Sequence, residues 1–222
     1  MKNFVFDLYG TLADIHTDEG RPQFRKSMAK YFRDNNFWQR YVELCKSLET
    51  GDELCEIDLN KVFSVLVPKD PFGAATYFRK KSRLSFKPYK GVYTLLQGLK
   101  AKGARLYILS NAQSCFTCME LHKLKFPQYF DGVELSSDFG KKKPAKEFFE
   151  HIVQKYGLNK SETVYVGNDF RADVLGAKSA GLSAVYIKSN RSPATDDLEE
   201  VREEAIFATD SFKELTDYLL SI

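Results

Sequence analysis

The sequence predicts an α/β fold, a parallel sheet flanked by helices, with a long helical segment inserted after the first strand. Two observations predict it. Short β-rich runs at 4–9, 105–110, 163–167 and 183–187 are each followed by a helical pattern, the alternation by which crossover helices join parallel strands. The first run is the exception, because residues 13–88 show helical periodicity and no second strong strand signal.

Taken in order, the run at 4–9 is the first strand. Helical patterns follow at 21–33, 38–48, 59–67 and 72–81, separated by the breakers Thr50-Gly51-Asp52 and Pro68-Lys69-Asp70-Pro71. The chain re-enters the core at Pro88-Tyr89-Lys90-Gly91, and a helix at 92–102 leads through Gly103 into the second strand. A short strand at 132–135 precedes a helix at 145–156, with Gly157 placed as its C-terminal cap. The third and fourth strands follow, then a Ser-, Pro- and Asp-containing loop at 189–197, an apolar run at 205–208 and a final amphipathic helix at 212–220. Residues 1–12 and 89–222 therefore form the core and 13–88 a helical cap. No internal repeat or low-complexity tract interrupts them.

At 222 residues, the chain suits one large core with an insertion. Its 43% hydrophobic and 28% charged residues exclude a disordered or fibrous protein. No apolar run approaches the roughly 18 residues that span a bilayer, and Asp7 interrupts the N-terminus before a signal-peptide apolar region develops. A soluble, cytoplasmic protein without membrane contact is expected. The net charge of +3 is too mild for a nucleic-acid footprint. The excess lies in residues 13–88, with 14 basic and 11 acidic side chains, which suits an anionic small-molecule substrate or simply a solvated face. Four cysteines are too few and irregular for a disulfide framework, and Cys115 and Cys118 lack a second pair to complete a zinc site. Oligomeric state has no sequence signal.

In parallel sheets, ligands bind beyond the carboxyl ends of the strands. The strand ends here share a chemical theme: Asp7-Leu8-Tyr9-Gly10-Thr11-Leu12, Ser110-Asn111-Ala112, and Gly167-Asn168-Asp169 with Asp173 close behind. The basic turn Lys141-Lys142-Lys143-Pro144 opens the intervening helix. A strand-end carboxylate can act as a nucleophile if a cation offsets the charge of an anionic substrate. Mg2+ fits, since it binds through one or two carboxylates and phosphate oxygens, here Asp7 with Asn168 or Asp169. Ser110, the amides around Asn111 and the Lys143 ammonium would hold phosphoryl oxygens. Singly, each residue has a plainer reading as a turn, a helix cap or a solvated charge. Their coincidence is what points to a site.

The segments FDLYGTL, LYILSNA, KKKPAKEFF and VYVGNDFRADVLGAKSAG resemble, in order and spacing, the four motifs of the haloacid dehalogenase superfamily of hydrolases. The insertion is similar to that family's C1 cap. The resemblance implies a Rossmann-like doubly wound core, Asp7 as nucleophile through an aspartyl-phosphate, Thr11 and Ser110 as phosphate-site hydroxyls, and Lys143 as the stabilising cation. It also implies Mg2+ on Asp7, the Tyr9 carbonyl and Asn168 or Asp169, with Tyr9, Gly10 and Asn111 bordering the substrate and Asp173 supporting from behind.

Position 9 departs from the family's phosphatases, most of which carry a second aspartate there for proton transfer. General acid–base catalysis is worth about 10²–10⁴-fold, so a slow phosphatase is expected. Tyr9 also resembles the DxYGT motif of 2-haloacid dehalogenases, which need no metal. Against that reading, Phe149 stands where their third motif has tyrosine, and Gly167-Asn168-Asp169 where their fourth has Ser-Ser-Asn. The leading expectation is a Mg2+-dependent phosphohydrolase of a small phosphorylated metabolite, with a dehalogenase or a catalytically weak binding protein as alternatives. In the cap, His16, Arg25, Arg79 and Arg83 are candidates to face the cleft, while Phe24, Met28, Tyr31, Phe32, Phe37 and Trp38 are expected to pack its core.

Overall fold

The computed structural model describes residues 2–222. In chain order its strands are β1 (Asn3–Phe6), β2 (Ala13–Thr17), β3 (Arg83–Pro88), β4 (Arg105–Ser110), β5 (Gly132–Leu135), β6 (Thr163–Gly167), β7 (Ser183–Ile187) and β8 (Phe207–Thr209). Its α-helices are α1 (Pro22–Phe32), α2 (Phe37–Ser47), α3 (Leu59–Leu66), α4 (Pro71–Ser82), α5 (Val92–Ala101), α6 (Ser114–Lys123), α7 (Ser136–Phe139), α8 (Lys146–Lys155), α9 (Gly176–Ser179), α10 (Leu198–Glu204) and α11 (Phe212–Ser221).

Six strands form a parallel sheet in the order β5-β4-β1-β6-β7-β8. The period of two along each strand divides the core. Phe4, Phe6, Leu106, Ile108, Val164 and Val166 face α5 and α11, packing with Leu95, Leu99, Leu215 and Leu219. Val5, Tyr107, Leu109 and Tyr165 face the other way onto Phe148, Phe149 and Ile152 of α8. Burial on both faces explains why the central strands read as nearly unbroken apolar runs. With β4 on one side of β1 and β6 on the other, the strand order reverses there and opens a crevice at the carboxyl ends. β1 stops three residues short of the expected strand, because the Leu8 carbonyl turns to accept from the Leu12 and Ala13 amides, both at 2.9 Å.

Residues 13–88 are not wholly helical. Their two ends, β2 and β3, pair as an antiparallel ribbon. The sequence hides it because β3 carries only Leu84 and Phe86 between polar neighbours and its partner lies far away along the chain, so no hairpin signal exists. Between them α1–α4 bury Phe24, Met28, Phe37, Tyr41, Val62, Phe63 and Phe78. Asp58 and Asp70 start α3 and α4 by accepting from the Asn60 and Gly73 amides at 2.8 and 2.9 Å.

This apolar cluster continues into the sheet domain through Cys115 and Phe116 of α6. The Phe116 ring stacks on Phe78 at 6.0 Å and 5°. Burial pushes the Cys115 thiol up to about 12, and all four cysteines are unpaired. Beside it, buried Glu120 of α6 accepts from Arg79 Nε at 2.8 Å and Arg83 Nη1 at 3.0 Å. Arg79 and Arg83, expected to face the cleft, therefore anchor the insertion. Arg25 stacks over Trp38 at 5.0 Å and His16 is exposed on the ribbon. A second attachment lies across the cleft, where the Glu56 and Lys142 amides donate to the Gly140 and Leu54 carbonyls at 2.9 and 2.7 Å.

Removing one partner of a buried ion pair leaves the others uncompensated. Glu120→Ala is expected to destabilise the fold by about 3 kcal/mol, read from the urea denaturation midpoint, whereas Lys213→Ala, in an exposed pair with Asp217, leaves that midpoint essentially unchanged.

Candidate active site

The residues following the strand ends converge at the crevice. Asp7 stands one residue beyond β1, its amide donating to the Val166 carbonyl at 2.9 Å. Gly10 turns the chain with φ of 97°, and a Cβ there would lie 2.5 Å from the Asn168 side-chain amide. Only glycine lets the first turn close against the segment after β6. The turn brings Thr11 back, so its hydroxyl lies 3.3 Å from Asp7 Oδ2 and 3.1 Å from Asn168 Oδ1. Ser110, ending β4, donates to Asp7 Oδ1 at 3.2 Å.

Lys143 is the hub. Its buried Nζ lies 2.8 Å from Asp7 Oδ1, 2.7 Å from Asp173 Oδ1 and 2.7 Å from the Tyr165 hydroxyl. Asn111 clamps the lysine's backbone, accepting from its amide at 2.7 Å and donating to its carbonyl at 3.0 Å. The Asn111 side chain thus holds Lys143 in place, while the residue itself borders the same cavity as Asp7. Asp173 Oδ2 accepts from the Asn168 and Asp169 amides at 2.9 and 3.0 Å, fixing the turn after β6. Asp169 Oδ1 caps the following π-helical turn through the Ala172 amide at 2.7 Å.

Together these segments enclose a cavity of about 160 Å³ bordered by Asp7, Tyr9, Ser110, Lys143, Asn168 and Asp169. Asp7, Tyr9, Ser110, Asn111, Lys143, Asn168, Asp169 and Asp173 line it, Thr11 bonds to Asp7 and Gly10 packs against Asn168, whereas His16, Arg25, Arg79 and Arg83 do not border it. Two others were not foreseen. Tyr165 reads as an ordinary core aromatic of a buried strand. Arg191, which also borders the cavity, sits in the 189–197 loop and is oriented by Asp14 Oδ1 at 3.0 Å. Its position in a loop leaving a strand's carboxyl end was the available signal.

Burial dominates the electrostatics. It raises the Asp7 carboxyl to about 6, against the lowering pull of Lys143 and with a further push from Asp173. For Lys143, burial works downward, but Asp173 and Asp7 outweigh it and hold the ammonium above its ordinary value. Asp169 is raised, first by burial, with the Ala172 amide opposing and Asp173 and Asp196 adding to it.

Tyr9 is turned away from the reacting region. Its hydroxyl donates to Glu120 and lies 3.1 Å from the Thr117 hydroxyl, while the Arg79 guanidinium sits 5.8 Å over its ring. Burial and then the Glu120 charge push the phenol well above its usual range.

The donors that could hold a metal are all oxygens: the Asp7 and Asp169 carboxylates, the Asn168 amide carbonyl and the Tyr9 backbone carbonyl. Among the described residues no three Asp, Glu, His or Cys side chains form a metal cage. Two carboxylates with neutral oxygens fit Mg2+, which retains waters and takes the rest of its shell from substrate.

The chain matches the haloacid dehalogenase-like hydrolase family over residues 4–187. It is 31% identical to the glyceraldehyde 3-phosphate phosphatase of Methanocaldococcus jannaschii, covering 100% of this chain and 98% of that protein. Identity to the protein of the same name from Methanothermobacter thermautotrophicus is 32%, over 66% of this chain and 65% of that one. The crystal structure of a HAD phosphatase from Thermococcus onnurineus shares the fold, with a TM-score of 0.66 at 22% identity over 99% of this chain and 98% of that one. The chain belongs to the haloacid dehalogenase-like hydrolase family.

With its native carboxyl raised from 3.8 to about 6, Asp7 keeps a proton that the unfolded chain has already released. Stability therefore falls as pH rises through this interval and stays lowered above it. In metal-free buffer, Asp7→Asn is expected to melt about 2–6 °C higher than the parent near pH 7.5, with the gain vanishing below about pH 4. Calorimetry at both pH values checks it; no gain near pH 7.5 would mean that Lys143 fully offsets the burial.

Proposed function

We propose that this hydrolase is a Mg2+-dependent phosphohydrolase of a small phosphorylated metabolite, acting through an aspartyl-phosphate on Asp7. The observation carrying this reading is the buried Asp7 carboxylate, held by Lys143 at 2.8 Å, Ser110 at 3.2 Å and Thr11 at 3.3 Å. The phosphatase names of its relatives support it, and glyceraldehyde 3-phosphate is one substrate to try. Mg2+ would be held by Asp7, the Tyr9 carbonyl, Asn168 and Asp169. When bound, it would neutralise phosphoryl charge and orient the phosphorus toward the nucleophile.

The protein's own groups do the rest. Oδ1 of Asp7 is engaged by Lys143 and Ser110, while Oδ2 faces the Thr11 hydroxyl at 3.3 Å and is the oxygen we assign to in-line attack. Lys143 and the Ser110 hydroxyl then lie where phosphoryl oxygens gather. Asp173 and Asn111 fix Lys143 from two sides. Residues 13–88 serve as the cap, covering the strand ends and excluding water. Four unpaired cysteines suit a reducing, cytoplasmic setting.

Tyr9 favours the dehalogenase alternative on sequence, but its hydroxyl faces Glu120, and Phe149 packs edge-on to Tyr165 within the core. The phosphatase test is hydrolysis of p-nitrophenyl phosphate and a panel of sugar phosphates, nucleotides and phosphoacids. Turnover is expected with Mg2+ and not in EDTA, and Asp7→Asn is expected to lower it at least about 10³-fold. Full turnover in that variant would refute the proposed nucleophile. Halide release from 2-haloacids in EDTA would instead establish the alternative.

A further inference from the structure

The groups bordering the Asp7 cavity are each committed in a way that leaves none to protonate a leaving group. The three protons of the Lys143 ammonium meet three acceptors, on Asp7, Asp173 and Tyr165. Asp173 accepts from the Asn168 amide, the Asp169 amide and Lys143, and lies beside the Tyr165 hydroxyl. Asp7 is the proposed nucleophile and Asp169 a proposed metal ligand. Arg191 carries a guanidinium, which does not surrender protons in proteins. No histidine borders the cavity among the described residues.

Tyr9 also borders the cavity and carries a hydroxyl. It is directed to Glu120, a carboxylate bound by two guanidiniums and thus a fixed acceptor for the phenolic proton. Swinging the phenol inward would give up its bonds to Glu120 and Thr117 and its stacking under Arg79.

We propose that this site is selective for phosphoryl compounds whose leaving group departs as a stable anion, acyl phosphates being the biological class, over alkyl phosphate monoesters. The inference rests on the phosphohydrolase reading and names the substrate class of that site. In the first step an Asp7 oxygen bonds to phosphorus, and the bond to the leaving oxygen breaks. The electron pair stays on that oxygen, which leaves unprotonated as a carboxylate. Water then attacks the same phosphorus, the bond to Asp7 breaks and its electron pair returns to the carboxylate. Both water protons end on the released phosphate, giving dihydrogen phosphate. Alkyl esters would have to expel a strongly basic alkoxide, and a general acid is what normally prevents that.

The test measures kcat/KM with Mg2+ for acetyl phosphate, substituted phenyl phosphates, glycerol phosphate and glyceraldehyde 3-phosphate. Rates are expected to fall steeply as the leaving group becomes more basic, with the alkyl esters about 10²–10⁴-fold below acetyl phosphate, the size of an absent general acid. Alkyl esters within tenfold of acetyl phosphate would overturn the inference while leaving the phosphohydrolase intact. No Mg2+-dependent turnover of either class would overturn both. Tyr9→Asp, checked for folding by its melting curve, is expected to narrow the gap by raising alkyl ester turnover; a folded variant with an unchanged gap counts against the inference. The wild-type series decides the matter even if that variant fails to fold.

Discussion

The Lys143 ammonium, sealed among Asp7, Asp173 and Tyr165, is the interaction on which the crevice depends. It joins the end of β1, the turn before α8, and β6 with the turn that follows it, three stretches distant in sequence. Bringing two carboxylates and an ammonium out of water costs several kcal/mol per ion, so such a cluster persists only when its hydrogen bonds are complete. Here they are, since no buried side-chain polar atom among the described residues lacks a partner. Asp7 nevertheless remains raised, which means that one ammonium shared between two carboxylates does not repay the whole cost of burying both. A site with surplus negative charge beside oxygen donors is poised for a further cation and for an electrophile that takes up that charge.

The sheet makes this cluster possible by simple means. Parallel strands all end on the same side, and a reversal of order about β1 separates the helices enough for side chains to meet there. The apolar content of the strands on both faces fixes their register, which in turn fixes where each strand-end polar residue falls. Gly10 and Gly167 then admit side chains at distances where a Cβ would collide, with Asn168 at 2.5 Å and Asp173 at 2.3 Å.

Much of this was legible in the sequence because it rests on local chemistry. The core strands announce themselves through β-branched and aromatic runs, and four strands, β4, β5, β6 and β7, fall on the expected residues. The candidate site residues follow those strand ends and are read from the sequence along with them. What could not be read depends on contacts between distant segments. The β2–β3 ribbon needs a partner far along the chain. Asn111 offers an amide that suits a phosphate or a backbone equally well, and only the fold shows it holding Lys143. Tyr165 looks like its apolar neighbours until Lys143 is placed against its hydroxyl. Arg79 and Arg83 are surface-type residues by composition, and Glu120 within α6 gave no hint of joining them.

Position 9 shows how a single side chain can trade one role for another. A carboxylate there would add like charge to a cavity that Asp7, Asp169 and Asp173 already line. The tyrosine removes that charge and instead reaches Glu120, where its ring sits beneath Arg79 and its hydroxyl completes a cluster that also binds Arg83. The loop after β1 is thereby tied to α4 and β3, the elements that lead out of the insertion. Tyr9, two residues from Asp7, thus links the loop that carries that carboxylate to the Glu120 cluster of α6 and the insertion. The departure at position 9 is therefore a structural commitment as much as a chemical loss.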